Sequence, residues 1–222
     1  MPFDRLAGKF AADIDQAVGA GHYVRGNYFA ELVRRWIPAG SYVLDYGCGP
    51  GRLGRQIQAC GVRVLGVDTS VDMISQARSQ AEAGADLRFE VIADAQELSS
   101  EGPYDAIVCS SVIEYVPDAD GLLQLFRSSL RAPGVLVISF ANSRSVFRRR
   151  WEREPGDNPM GPAQHHTWDF AQFKALLERN GFRIVTRPLY FESAWDWRFW
   201  GRWFRRVALV GSIGVVVALA TS

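Results

Sequence analysis

The chain has 222 residues, 48% hydrophobic and 22% charged, enough for one domain with a sizeable core and too apolar for a disordered linker. Lys and Arg number 25 against 24 Asp and Glu, a formal charge of +1, so no global field points to nucleic acid and none is expected as a partner. Cys48, Cys60 and Cys109 stand far apart without a CxxC spacing, which suits reduced thiols and predicts a cytoplasmic setting.

The first ten residues lack a basic start followed by an apolar stretch, so no secretory signal is expected. Residues 1–38 read as two cap helices, the second with an apolar face from Tyr28, Phe29, Leu32, Val33 and Trp36. Short β-branched runs at 42–45, 62–68, 87–93, 105–110 and 135–140 predict five strands, and helical spacing at 52–60, 71–83, 96–99 and 119–131 places helices between them. Strict alternation of this kind predicts an α/β fold, a Rossmann-like doubly wound sheet with helices on both faces and its ligand at the carboxyl ends of the strands. Residues 142–167, rich in Arg, Pro and Gly, are expected to form an acceptor-site loop or lid. A helix at 169–180 capped by Gly181 and a sixth strand at 182–190 follow.

Beyond them, Trp195, Trp197, Phe199, Trp200, Trp203 and Phe204 interleave with Arg198, Arg202, Arg205 and Arg206. On a helical wheel the arginines fall on one arc and most aromatics on the other, a basic amphipathic helix that suits either a wall of the substrate site or an anionic membrane surface. The apolar run 207–220 is shorter than the ~20 residues a spanning helix needs.

The run Val43-Leu44-Asp45-Tyr46-Gly47-Cys48-Gly49-Pro50-Gly51 carries the chemistry. Glycine takes positive φ and lets a ligand approach the backbone, and a helix starts immediately after. Asp68, 21 residues after Gly47 at the end of the second predicted strand, suits ribose hydroxyls. Two ligands fit so far, a dinucleotide or S-adenosyl-L-methionine. The dinucleotide fingerprint wants glycine at position 52, and this chain has Arg52, which weakens the pyrophosphate reading.

With Gly66-Val67-Asp68-Thr69-Ser70-Val71-Asp72-Met73, Val91-Ile92-Ala93-Asp94-Ala95 and Tyr104 to Val116 following in order, the chain resembles the class I S-adenosylmethionine-dependent methyltransferases, in their small-molecule, ubiquinone-pathway-like branch. The resemblance implies that Asp45, Gly47, Cys48, Gly49 and Gly51 enclose the methionine part of the cofactor, that Asp68 with Thr69 holds the ribose, and that Met73 packs on the adenine. Asp94 and Ala95 would meet the adenine amino group, and Ser110 would border the transferred methyl. Tyr23 and Arg25 lie about where relatives contact the cofactor carboxylate. The fold implied has seven strands, the last antiparallel at 213–220. One methyltransferase domain over 1–222 is expected, with a cofactor-binding core at 40–140 and residues 192–206 inserted before the last strand.

The sulfonium already activates the methyl group, so catalysis can be mostly alignment, with a base helping a hydroxyl acceptor. The resemblance points to the Glu114-Tyr115 loop and to His165 and His166 as catalytic candidates. Each histidine has a bland alternative, one orienting the lid through a backbone hydrogen bond and the other solvated. Related enzymes carry a Glu-x-x-Glu-His metal loop, but Ser111 and Tyr115 replace its first Glu and its His, so no metal is expected. The run Arg148-Arg149-Arg150-Trp151-Glu152-Arg153 reads either as a solvated face or as recognition of an anionic acceptor. The acceptor expected is a small molecule, glycan or lipid precursor taking the methyl on O or N. A non-catalytic cofactor sensor or partner subunit and an NAD-dependent oxidoreductase are the alternatives.

Overall fold

The computed structural model describes residues 19–81, 86–93, 98, 102–153, 164–191, 206–209 and 211–221. Asp94, Ala95, residues 1–18 and the Trp/Arg segment up to 205 lie outside the described residues, as does the side chain of Tyr23.

Strands β1 (Tyr42–Tyr46), β2 (Arg63–Asp68), β3 (Leu87–Val91), β4 (Tyr104–Cys109), β5 (Leu130–Ala141), β6 (Phe182–Ile184), β7 (Leu189–Phe191) and β8 (Ile213–Ala220) form one sheet of order β3-β2-β1-β4-β5-β8-β6, with β7 also on β8. The first five strands are parallel to one another, and β8 runs antiparallel to β5, β6 and β7. Helices α1 (Gly19–Trp36), α2 (Arg52–Gln58), α3 (Val71–Ser79), α4 (Ala119–Ser129), α5 (Val146–Arg153) and α6 (Phe170–Arg179) complete the described elements.

Both sheet faces are apolar because both are covered. Leu44, Leu65, Ile107, Ile138 and Val216 pack with Phe126 of α4 and Phe173 of α6, while their neighbours Val43, Val64, Val108, Val137 and Val215 pack with Phe29 and Val33 of α1 and Ile57 of α2. The period-2 switch between the two clusters is the pleat of each strand. Phe140 stacks on Phe173 at 4.3 Å, which ties α6 to the carboxyl end of β5. Side chains start the later helices: Ser70 Oγ accepts from Met73 N at 3.3 Å, Asp118 Oδ1 from Gly121 N at 2.8 Å, and Asp169 forms a capping box with Gln172.

Two expectations need correction. The sheet has eight strands rather than seven, because the single strand expected at 182–190 is interrupted. At the break Val217 N donates to the hydroxyl of Thr186 at 2.9 Å instead of to a backbone carbonyl, and Pro188 has no N–H to offer. The stretch 142–167 is also not loop throughout, since α5 occupies part of its first half. Gly181, as expected, takes φ 78 beyond α6.

The strand order reverses at β1, with β2 and β3 on one side and β4 and β5 on the other. In a doubly wound sheet that switch point leaves a crevice between the carboxyl ends of β1 and β4. The glycine turn emerges there.

Candidate functional site

The turn after β1 is folded back over the end of β2. Gly47 N and Cys48 N both donate to Val67 O, at 2.8 and 2.9 Å. Gly47 has φ 70, and a Cβ there would lie 2.3 Å from Val112 Cγ2, so this glycine lets the loop after β4 close on the turn. Gly49 N donates to Asp68 Oδ2 and Ser70 N to Asp68 Oδ1, each at 2.9 Å. One amide on each oxygen orients the carboxylate and leaves further lone pairs for hydroxyl donors.

Asp45 closes the floor of the crevice at 1% exposure. Burial first, and then the negative charge of Asp68, push its carboxyl up to about 7 against the opposing effect of the Gly54 amide. Its Oδ2 is buried and accepts no hydrogen bond. On the same turn Gly49 has φ 52, and a Cβ there would meet nothing within 4 Å. An orphaned acceptor, an orienting second acid and an open backbone face suit a ligand bearing hydroxyls and positive charge. They suit a pyrophosphate poorly, since Asp45 at the turn would repel it. The residues present therefore fit S-adenosylmethionine.

Phe89 is a residue that motif reading passes over. A Cβ on Gly51 would lie 2.5 Å from its ring, one on Gly66 also 2.5 Å, and one on Gly54 3.2 Å. Phe89 is the register partner of Gly66, so an aromatic on β3 fills the hollow that the glycine on β2 leaves. Gly51, expected at the ligand, is thus also required by packing behind it. A strand glycine with an aromatic in the next strand was the available signal.

The expected site residues divide by location. Asp45, Gly47, Cys48, Gly49, Gly51 and Asp68 gather at the turn, and Ser110 begins the loop opposite them. Thr69 is exposed at the end of β2, whereas Met73 is buried on α3 and Arg25 is buried on α1. Cys48 is buried, and its thiol is pushed up by burial first and by Asp45 and Asp68 after it, so it is no nucleophile.

The loop after β4 is held from two sides. Ser111 takes φ 55, unusual for a residue with a side chain, and its N donates to the buried Ser139 Oγ at 2.7 Å. A 3-10 turn, Ile113–Tyr115, follows. Glu114 is 1% exposed, and its carbonyl accepts from His165 N at 2.8 Å and His166 N at 3.1 Å. Residues 164–168 therefore strap across the loop, anchored at their far end where Trp168 N donates to Ala141 O at 2.9 Å. The His166 ring stacks on Trp168 at 5.2 Å, and its Nε2 lies 3.0 Å from Pro117 O. A carbonyl can only accept, so that partner places the proton on Nε2. His165 is exposed on the same strap and Tyr115 is half-buried.

Among the described residues, no group of three or more His, Cys, Asp and Glu side chains stands together. Two cavities lie away from the crevice. An open groove of about 600 Å³ follows edge strand β3, and a smaller one of about 240 Å³ lies between Arg144, Asp169, Tyr190 and Leu209. Neither is lined by Asp45 or Asp68, and convergence of strand ends marks the site.

A family model described as a methyltransferase domain matches residues 20–187. A ubiquinone biosynthesis O-methyltransferase of Xanthomonas axonopodis is 32% identical over 108 residues, 47% of this chain and 45% of that one. A counterpart from Aeromonas salmonicida is 33% identical over 106 residues, 46% of this chain and 44% of the relative. The chain spans about half the length of the curated relatives it matches. Among solved structures, a Haloferax volcanii methyltransferase in complex with a methyltransferase activator superposes with TM-score 0.72 at 18% identity, over 99% of this chain and 98% of that one. The magnesium protoporphyrin IX methyltransferase of Synechocystis with bound S-adenosylhomocysteine gives 0.69 at 22% identity, over 90% and 84%.

Proposed function

The chain belongs to the S-adenosylmethionine-dependent methyltransferase family, and on that premise we propose that it moves the cofactor's methyl group to an oxygen or nitrogen of a small molecule, glycan or lipid precursor, without a metal. The single observation that carries the cofactor assignment is the pairing of buried, unsatisfied Asp45 Oδ2 with amide-oriented Asp68 at the switch point. S-adenosylmethionine supplies an electrophilic methyl on a sulfonium when bound. Asp45, Gly47, Cys48, Gly49 and Gly51 hold its methionine end, with Arg25 and Tyr23 on the carboxylate. Asp68 and Thr69 take the ribose, and Met73, Asp94 and Ala95 the adenine. Ser110 faces the methyl.

The acceptor then lies beside the loop after β4 and the 164–168 strap bonded to it. His166 acts as a positioning residue, because its Nε2 is occupied by Pro117 O and its ring by Trp168. Glu114 acts through its carbonyl, which carries both histidine amides. His165 and Tyr115 are the side chains offered to an acceptor proton. Arg149, Arg150 and Arg153 of the basic run favour an acceptor with phosphate or carboxylate, Arg148 being committed to Ser212 O and Gln164. The 1–222 chain acts as one domain, with 40–140 as the cofactor half.

Calorimetry with S-adenosylmethionine, its demethylated product and NAD side by side tests the cofactor, and preference for NAD overturns the reading. A methyl-release assay across hydroxyl, amine and phosphorylated-sugar acceptors then tests the reaction. Turnover should survive a chelator. An Asp68→Ala variant should bind S-adenosylmethionine at least roughly tenfold more weakly, having lost a charge-assisted hydrogen bond. A His166→Ala variant with full turnover and unchanged affinity would remove His166 even from the positioning role.

A further inference from the structure

Of the large apolar side chains exposed among the described residues, three gather in one place: Val146 at 49%, Val207 at 41% and Leu209 at 46%. Val146 N donates to Leu209 O at 3.0 Å, so the start of α5 and the 206–209 segment form one surface. Exposed arginines lie beside it. Arg149 lies one helical turn beyond Val146 and donates to Arg144 O at 3.1 Å, and Arg206 adjoins Val207. None of Arg144, Arg149 and Arg206 forms an ion pair with a described carboxylate. Asp169 is the one acid lining the 240 Å³ cavity beside Arg144. The surface is rigidly mounted, because Asn142 Nδ2 holds both Ala208 O and Gly211 O, and Arg148 Nε holds Ser212 O at 3.3 Å.

We propose that this face docks on an anionic lipid surface. The charge is complementary, and aliphatic side chains among arginines are the composition of an interfacial anchor. Continuity in the chain supports the same occupant. The sequence that precedes Arg206 carries Trp195, Trp197, Trp200 and Trp203 with Arg198, Arg202 and Arg205, the residue types enriched at the headgroup level. Among the described residues no helix is long and apolar enough to cross a membrane, so the contact is of the kind that lies on a bilayer. Three aliphatics also make a small core for a stable protein interface. The face stands at the carboxyl end of β5, the same end of the sheet as the crevice, so an acceptor arriving from the lipid meets the strap first. That last consequence rests on the methyltransferase reading; the lipid contact does not, and the two fail separately.

Flotation of the full chain with vesicles of phosphatidylcholine alone or mixed with phosphatidylglycerol tests the contact, with circular dichroism and cofactor affinity as controls. Flotation should require phosphatidylglycerol and fade with salt. The combined R144Q, R149Q and R206Q variant should lose roughly fivefold in partitioning per arginine. The combined V146S, V207S and L209S variant should lose roughly tenfold. Cofactor affinity should hold in both; should the apolar variant fail to fold, the arginine variant carries the same comparison. Absence of flotation at low salt overturns the proposal. So does wild-type flotation by both variants, or a change in oligomeric state with lipid binding intact, which would make the face a contact between copies.

Discussion

The two halves of the sheet are held together differently. In the cofactor half, from β1 to β4, the hydrogen bonds that orient the Asp68 carboxylate are short in sequence: Gly49 to Asp68 spans 19 residues and Asp68 to Ser70 spans 2. In the acceptor half, from β5 to β8, the shaping contacts are long. Asn142 reaches 66 and 69 residues to Ala208 and Gly211, and Arg148 reaches 64 to Ser212. The first half is a backbone device that glycines permit, and the second is a side-chain clamp between distant segments. A cofactor common to a family can be met by the first, whereas an acceptor particular to one enzyme needs the second.

The largest effect expected tests the buried acid of the cofactor half. With Asp45 held near 7 in the fold and at an ordinary 3.8 when unfolded, the folded state binds its proton more tightly. Its stabilising contribution is complete below the unfolded value and is lost as pH rises from there through about 7, a change of roughly 4 kcal/mol in all, of which roughly 3 kcal/mol falls between pH 5 and 8. Asp45→Asn should flatten that slope in urea unfolding at pH 5 and 8 while weakening cofactor binding; an unchanged slope would break the comparison at its floor. Next, Gly47→Ala places a methyl 2.3 Å from Val112 at a positive φ and should cost about 3 kcal/mol in the same experiment. Gly49→Ala, with open space beside it, should cost only about 1 kcal/mol yet still impair cofactor affinity.

Asn142→Ala sharpens the contrast from the other half. It leaves two carbonyls without their donor and should cost about 2 kcal/mol, with cofactor affinity unchanged and acceptor turnover reduced. Equal loss of cofactor affinity would mean the halves are not separable. Least of all should come Arg179→Ala. Arg179 first and Asn180 second hold the Asp120 carboxyl down to about 2, but the pair is exposed, and solvent leaves it about 0.5 kcal/mol. That contribution is present above the ordinary carboxylate value and disappears as pH falls through 2, so the melting-temperature difference should vanish in strong acid.

Much of the cofactor half was legible because its determinants are local. A strand, Asp45, three alternating glycines and Asp68 can be read in a window of about one βαβ unit, and the turn they encode hardly depends on the rest of the chain. Phe89 was not legible in that way, since its purpose appears only when β3 lies against Gly66. His165 and His166 could be listed but not ranked, because Pro117 and Trp168 reach His166 only through the folded strap. The interrupted strand at 182–191 needed Thr186 to find Val217, a contact that no periodicity announces.

By itself the amino-acid sequence determined the α/β alternation and the parallel core, products of backbone preference and nearest-neighbour spacing, while the donor at the glycine turn followed from the resemblance of its ordered motifs to a family. Only the tertiary structure decided that Asp45 is buried with one oxygen unsatisfied, which histidine is committed to a carbonyl, and that Val146, Val207 and Leu209 share one basic face. Those are matters of desolvation and of contact between segments about sixty residues apart, and burial at long range is a property of the packed chain rather than of any stretch of it.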